Sequence, residues 1–223
     1  TDASTAVELK IKDGEPFVAG QLLAVVSGNA RAVLTAERIG LNFTQRMCGI
    51  ATLTAQYVAA IAGTSAKILD TRKTTPGLRP FERHAVVCGG GHNHRYSLSD
   101  QVLAKDNHLA VLTRGGKDLT TELKRVRSEI SPDIKFEVEV DRIDQIAPVL
   151  AAEVDIIMLD NFTLDELREG VALINGKAVV EASGGVNLNT VADIAATGVD
   201  VISVGALTHS ARALDLGLDV EIN

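Results

Sequence analysis

The sequence predicts an α/β fold: a (β/α) barrel preceded by part of a smaller α/β open-faced sandwich domain. Three observations carry this expectation. From about residue 67 onward, short β-branched runs alternate with amphipathic stretches, the pattern of right-handed βαβ units. Polar residues recur at the C-terminal ends of successive strand-like runs, where barrel active sites are built. Apolar residues make up 46% of the chain but aromatics only 3%, with no Trp. The core must then be Val, Ile, Leu and Ala, the usual filling of a parallel sheet covered by helices.

The elements follow in order. Residues 66–70 read as a strand and 79–88 as a helix leading into Gly89-Gly90-Gly91. Residues 101–105 are strand-like. Residues 118–130 are helical, with Leu119, Leu123 and Val126 at helix spacing. Then come a strand at 135–140, a helix at 143–152 and a strand at 154–160. A helix at 164–174 has Thr163 as its cap. A strand at 178–182 precedes a helix at 188–197, which Gly198 closes, and 201–205 is the last strand. An open doubly wound sheet is the alternative. It is weakened because no GxGxxG fingerprint follows the first strand. Lys105, Glu139, Asp160 and Ser183, each at or just past a strand end, favour the barrel.

Before residue 60 the pattern differs. Residues 8–12 and 22–27 look like antiparallel strands around the turn Asp13-Gly14-Glu15-Pro16, and a helix is expected over 35–62. The expected organisation is therefore a remainder of the first domain at 1–45 and the barrel at 46–208. A C-terminal segment, 209–223, would pack back on the first domain. The opening segment reads as the middle of a domain.

The net charge of −7 argues against a nucleic-acid surface. Any anionic ligand must be held by a local cationic pocket. No apolar run approaches the ~20 residues of a membrane span, so no membrane partner is expected. Cys48 and Cys88 are too few for a disulfide framework and read as small half-buried residues in a reducing, cytoplasmic setting.

Three clusters carry chemistry. In Asp70-Thr71-Arg72-Lys73-Thr74, two adjacent cations follow a strand and can bind carboxylate or phosphate. In Gly89-Gly90-Gly91-His92-Asn93-His94-Arg95, open backbone amides precede two basic side chains. No Cys or carboxylate completes a metal site with His92 and His94 at the usual spacing. The third cluster is the strand-end series Lys105, Glu139 and Asp160. Alternation places Glu137 on the same face as Glu139. Small-residue turns at Ser183-Gly184-Gly185 and Gly205-Ala206-Leu207 suit a phosphate cradle. Together these describe a pocket for an acidic substrate and a phosphorylated sugar. A phosphosugar aldolase with Lys105 as Schiff base would fit the same residues.

The ordered strings decide between these readings. Thr35-Ala36-Glu37-Arg38, Asp70-Thr71-Arg72-Lys73-Thr74, Asn93-His94-Arg95, Lys105-Asp106-Asn107-His108, Glu137-Val138-Glu139-Val140-Asp141, Leu159-Asp160-Asn161-Phe162 and Val204-Gly205-Ala206-Leu207-Thr208-His209-Ser210 resemble the quinolinate phosphoribosyltransferase family over nearly the whole chain. The resemblance implies that family's open-faced sandwich and (β/α) barrel. It also implies transfer of a phosphoribosyl group from phosphoribosyl pyrophosphate to quinolinate with decarboxylation, using Mg²⁺. Arg38, Arg72, Lys73, His94, Arg95 and Lys105 would surround quinolinate, Arg38 coming from the neighbour in a homodimer or a higher homo-oligomer. Lys73, Glu139, Asp160, Ser183, Gly184, Gly185, Gly205 and His209 would meet the phosphoribosyl group. Glu139 and Asp160 would hold Mg²⁺ directly or through water. Lys105, Glu139 and Asp160 would be catalytic. Two departures stand out. Arg83-His84 replaces the usual Lys-Tyr, with Arg83 a substitute for a phosphate-contacting Lys. Members also usually carry several dozen residues before the region that begins at Thr1. A paralogous phosphoribosyltransferase and a non-catalytic metabolite-binding protein are the rivals on this fold.

Overall fold

The computed structural model describes residues 2–221. Strands β1 (Ala6–Leu9) and β2 (Ala24–Ser27) form an antiparallel ribbon, Ala6 opposite Ser27. In the turn between them Gly14 adopts φ 83°. The ribbon covers little apolar surface: Val7 and Leu9 are 60% and 69% exposed, as suits a partial sandwich.

Helix α1 (Ala30–Ala60) starts before the expected position 35 because Asn29 caps it. Asn29 Oδ1 accepts the Arg31 and Ala32 N–H groups at 3.0 and 3.3 Å, partners that the first turn otherwise lacks. Its buried residues, Gly49, Ile50, Thr54 and Tyr57, all lie in its second half.

The barrel unit follows. Its elements are β3 (Lys67–Leu69), α2 (Arg79–Cys88), β4 (Gln101–Ala104), α3 (Asp106–Leu112), α4 (Leu119–Glu129), β5 (Lys135–Val140), α5 (Ile146–Leu150), β6 (Ile156–Asp160), α6 (Leu164–Ile174), β7 (Val179–Ser183), α7 (Val191–Ala195), β8 (Val201–Ser203) and α8 (Ala206–His209). The sheet runs β3-β8-β7-β6-β5-β4, every pair parallel. The segment after α2 spans the two edge strands. His92 bridges Leu69, and Arg95 Nη1 donates to the Gln101 carbonyl at 3.0 Å.

Three differences from the expected elements have local causes. Helix α3 was not anticipated. It is entered through Lys105, whose N–H donates to His108 Nδ1 at 2.9 Å. The stretch 143–152 opens as a 3₁₀ turn at Ile143–Gln145 before the short α5. Pro148 has no N–H to give the carbonyl four residues back. The helix expected at 188–197 shortens to α7, since Asn187 and Thr190 form a side-chain-bonded turn (Asn187 N–H to Thr190 Oγ1, 3.1 Å).

Phe136, Val138, Ile157, Leu159, Val180 and Ile202 of the strands pack under Leu123, Ile146, Ile174 and Val191. After α8 the chain runs back along α1. The Leu214 N–H donates to the Gln45 carbonyl at 3.0 Å, and Gln45 Nε2 donates to the Leu216 carbonyl at 2.8 Å.

Candidate functional site

The strand-end series converges as expected. Lys105 directly follows β4, Glu139 is the penultimate residue of β5, Asp160 ends β6 and Ser183 ends β7. Parallel register sets Asp160 opposite Ser183. Lys105 Nζ reaches Glu139 Oε2 at 2.5 Å, with the Glu139 side chain only 10% exposed. Burial of a carboxylate is costly without a partner. Lys105 supplies that partner while its own side chain stays 47% exposed at the mouth. Asp160, half-buried, accepts from Asn161 Nδ2 at 2.7 Å.

The loop after β3 brings in the cations. Arg72 and Lys73 are exposed and, among the described residues, have no acidic partner within ion-pair distance; Arg95 likewise has none. Burial lowers the Arg95 pKa, and the charge of Arg72 lowers it further. Two like charges facing one another without a counter-ion make a place for an anion.

A second cluster lies deeper. His94 Nε2 is 3.4 Å from Glu137 Oε2 on β5 and 3.5 Å from Glu181 Oε2 on β7, with all three side chains nearly buried. Burial works against an imidazolium there, but hydrogen bonds to Glu137 and Glu181 outweigh it and raise His94 to about 10. Burial raises Glu137 to about 7. His94 Nδ1 lies 2.7 Å from the Arg95 backbone nitrogen, while Nε2 faces the two carboxylates. Gln101 Nε2 also donates to Glu137 Oε2, and Ser203 Oγ donates to Glu181 Oε1 at 2.6 Å. Among the described residues Glu137 Oε1 has no hydrogen-bond partner.

The glycine turns line the other side of the mouth. Gly184 and Gly185 take φ 91° and 61°. A Cβ on Gly184 would overlap Asn161 Oδ1, so this loop needs glycine at that position. Gly205, Lys73 and His209 meet: a Cβ on Gly205 would lie 3.1 Å from Lys73 Cδ and 3.2 Å from His209 Nε2. Arg38 is apart from this group, its side chain 69% exposed on the first half of α1, with Glu37 at 4.0 Å.

Arg83 does not reach this pocket as a free cation. It pairs with buried Asp70 at 3.6 Å, donates to the His94 carbonyl at 2.6 Å and lies over the Tyr96 ring at 5.3 Å. It therefore holds the His94 segment, and the expectation that it contacts phosphate is replaced by this role.

Sequence reasoning missed Glu181, although a carboxylate inside Val179-Val180-Glu181-Ala182 carries the same signal that picked out Asp160. It also missed the clamp beneath the Arg72–Lys73 loop. Glu82, 0% exposed, pairs with Arg46 Nη2 at 2.9 Å and accepts from Thr75 N and Oγ1 at 3.0 and 2.8 Å. No helix among the described residues is long and apolar enough to cross a membrane.

Comparison with known proteins places the chain in one family. Residues 50–219 match the profile described as Quinolinate phosphoribosyl transferase, C-terminal domain, and residues 3–48 match the N-terminal domain. The chain is 45% identical over 214 residues to nicotinate-nucleotide pyrophosphorylase (carboxylating) of Mycobacterium leprae, covering 95% of this chain and 74% of that one. A probable nicotinate-nucleotide pyrophosphorylase (carboxylating) of Bacillus subtilis is 40% identical, with 95% and 72% covered. Among solved structures, NadC from Streptococcus pyogenes superposes with a TM-score of 0.90 at 40% identity, covering 96% of this chain and 74% of that one.

Proposed function

The chain belongs to the quinolinate phosphoribosyltransferase family, and from that premise we infer that it transfers a phosphoribosyl group from phosphoribosyl pyrophosphate to quinolinate, releasing pyrophosphate and CO₂ and yielding nicotinate mononucleotide for NAD biosynthesis. The observation that carries this reading is the set of cations without counter-ions, Arg72 and Arg95, beside Lys105 and His94. A pyridine with two adjacent carboxylates is the anion such a set recognises.

In the reaction, Arg72, Arg95, Lys105 and His94 hold the two carboxylates so that the ring nitrogen faces the anomeric carbon. Lys73 and His209, with the open amides around Ser183, Gly184, Gly185 and Gly205, hold the 5′-phosphate. As the bond to pyrophosphate breaks, positive charge develops on the ribosyl ring, and Glu139 and Asp160 stabilise it. The nitrogen–carbon bond forms and the ring nitrogen becomes cationic. The adjacent carboxylate then leaves as CO₂; its bonding pair stays on the ring carbon, stabilised by the cationic nitrogen beside it, and takes up a proton from water.

Glu139 and Asp160, on neighbouring strands, offer an all-oxygen donor set, the kind that Mg²⁺ takes together with substrate phosphates. These two carboxylates would hold the ion directly or through water. Charge building on the departing pyrophosphate is what Mg²⁺ offsets when bound.

The working unit is a homodimer in which Arg38 enters the neighbour's site. Support comes from Leu34 and Ile39, 54% and 65% exposed on the same helix as Arg38. We take the setting to be cytoplasmic, in keeping with the free thiols Cys48 and Cys88. Incubation with quinolinate, phosphoribosyl pyrophosphate and Mg²⁺ tests the reaction. Nicotinate mononucleotide, pyrophosphate and CO₂ are expected in equal amounts; quinolinate consumed without CO₂ would overturn the reading.

A further inference from the structure

Three metal-ligating side chains converge outside the pocket described above. Asp13 lies in the turn joining β1 to β2, whereas His84 and Cys88 are one helical turn apart on α2 and share a face. They occupy the second half of α2, away from the Arg72–Lys73 loop that leads into its start. His84 Nε2 is 2.9 Å from Asp13 Oδ2 and 3.4 Å from Cys88 Sγ, and the three ligand atoms all lie within 4.8 Å of one another. The neighbouring glycine makes this approach possible. A Cβ on Gly14 would stand 3.0 Å from the Cys88 carbonyl oxygen.

We propose that Asp13, His84 and Cys88 form a surface site for a zinc-like divalent transition-metal ion, its fourth position taken by water. The donor set decides the class. Magnesium and calcium take oxygen ligands, whereas a thiolate with an imidazole and a carboxylate suits tetrahedral zinc. With Zn–S near 2.3 Å and Zn–N near 2.0–2.1 Å, tetrahedral geometry sets sulfur and nitrogen roughly 3.5 Å apart, and Cys88 and His84 stand at 3.4 Å. The carboxylate must move outward by a few tenths of an ångström. The Asp13 side chain, 73% exposed, is free to do so.

A plain His84–Asp13 ion pair accounts for less. In that pair Nε2 gives its hydrogen to Asp13 and has no lone pair left for the Cys88 thiol. If the thiol donates to Nε2 instead, the Asp13 contact loses its donor. A metal ion satisfies all three atoms at once. Cys48 of α1 lies within the field of both Asp13 and Cys88; burial raises its pKa and their negative charges raise it further. Burial likewise raises Cys88, so loading the ion displaces a proton from the thiol. The bound ion would tie the N-terminal turn to a barrel helix, a structural role independent of the transferase reaction.

The test uses the whole chain, stripped with a chelator under a thiol-free reductant and titrated with Co²⁺. A thiolate-to-cobalt charge-transfer band with tetrahedral d–d absorption is expected, saturating at a single equivalent and bleached by Zn²⁺. Metal held by Glu139, Asp160 or His94 gives no thiolate band, so the readout is specific to the cysteines. Cys88→Ser should abolish the band, and His84→Ala should weaken binding by about tenfold or more. Cys48→Ser, which leaves Asp13, His84 and Cys88 in place, should keep the band. Turnover of quinolinate by His84→Ala and Cys88→Ser should stay near that of the unaltered chain. The proposal is overturned by a folded protein that shows no charge-transfer band, or by a band that survives Cys88→Ser.

Discussion

Glu82→Gln tests how the cation loop is held. Glu82 is fully buried and accepts from Arg46 Nε and Nη2 at 3.3 and 2.9 Å, and from both the N–H and the hydroxyl of Thr75. Arg46 in turn donates to the Ala211 carbonyl at 3.0 Å and to the Thr208 carbonyl, while Thr208 Oγ1 donates to the Lys73 carbonyl at 2.8 Å. One carboxylate thus fastens the Arg72–Lys73 loop to α1 and to the Gly205–Ala211 turn. The amide keeps the volume but removes the charge and points an NH₂ at groups that are themselves donors. Breaking one partner of a buried ion pair costs about 3–5 kcal/mol. Arg46 is 25% exposed and water can reach it, so the low end, about 3 kcal/mol, applies here. For a chain of this size that is a fall in Tm of about 6–12 °C. Differential scanning calorimetry measures it, and steady-state kinetics should show KM for quinolinate rising as the loop loosens. An unchanged Tm would refute the clamp. A lowered Tm with unchanged KM would refute its role in placing Arg72.

Two further predictions concern the cations directly. Arg72→Ala should weaken quinolinate binding by more than about tenfold, or 1.4 kcal/mol, by isothermal titration; unaltered affinity would remove Arg72 from the pocket. The His94 cluster predicts a pH dependence of stability. His94 is raised from 6.5 to about 10 in the folded chain. Its contribution is therefore fully present below about pH 6.5 and lost as pH rises toward 10. Glu181→Gln removes one carboxylate beside Nε2, so the decline of Tm with pH over that window should start at lower pH than in the unaltered chain. Superimposable curves would show that Glu181 does not hold the proton there.

Legibility in the sequence followed the range of the interactions. Strand ends were readable because burial and chemistry speak at the same residue. Asp160 ends an apolar run and Glu139 sits in alternation with Val138 and Val140, and both arrive at the mouth. Helix starts were less readable, since α1 begins where one Asn29 side chain finds two N–H groups, and α3 where the Lys105 N–H finds the His108 ring. The least readable features join distant segments. Arg46 and Glu82 are 36 residues apart, and neither sits in a motif. His94 has no acidic neighbour in sequence, yet it faces Glu137 and Glu181 because β5 and β7 flank β6 in the sheet. The family resemblance supplied roles for the mouth residues. It gave no role to Glu82 or Cys88, and marked His84 only as a departure from the usual pattern.

The most direct test of the account is a comparison of acceptors on the full chain. Phosphoribosyl pyrophosphate and Mg²⁺ are held fixed, and quinolinate and nicotinate are offered separately, with nicotinate mononucleotide as the product measured in both. If Arg72, Arg95, Lys105 and His94 recognise the paired carboxylates, as proposed, product should form from quinolinate and not from nicotinate. Equal turnover of nicotinate, or no turnover of either by the folded protein, would contradict the claim that this cation set selects a pyridine dicarboxylate.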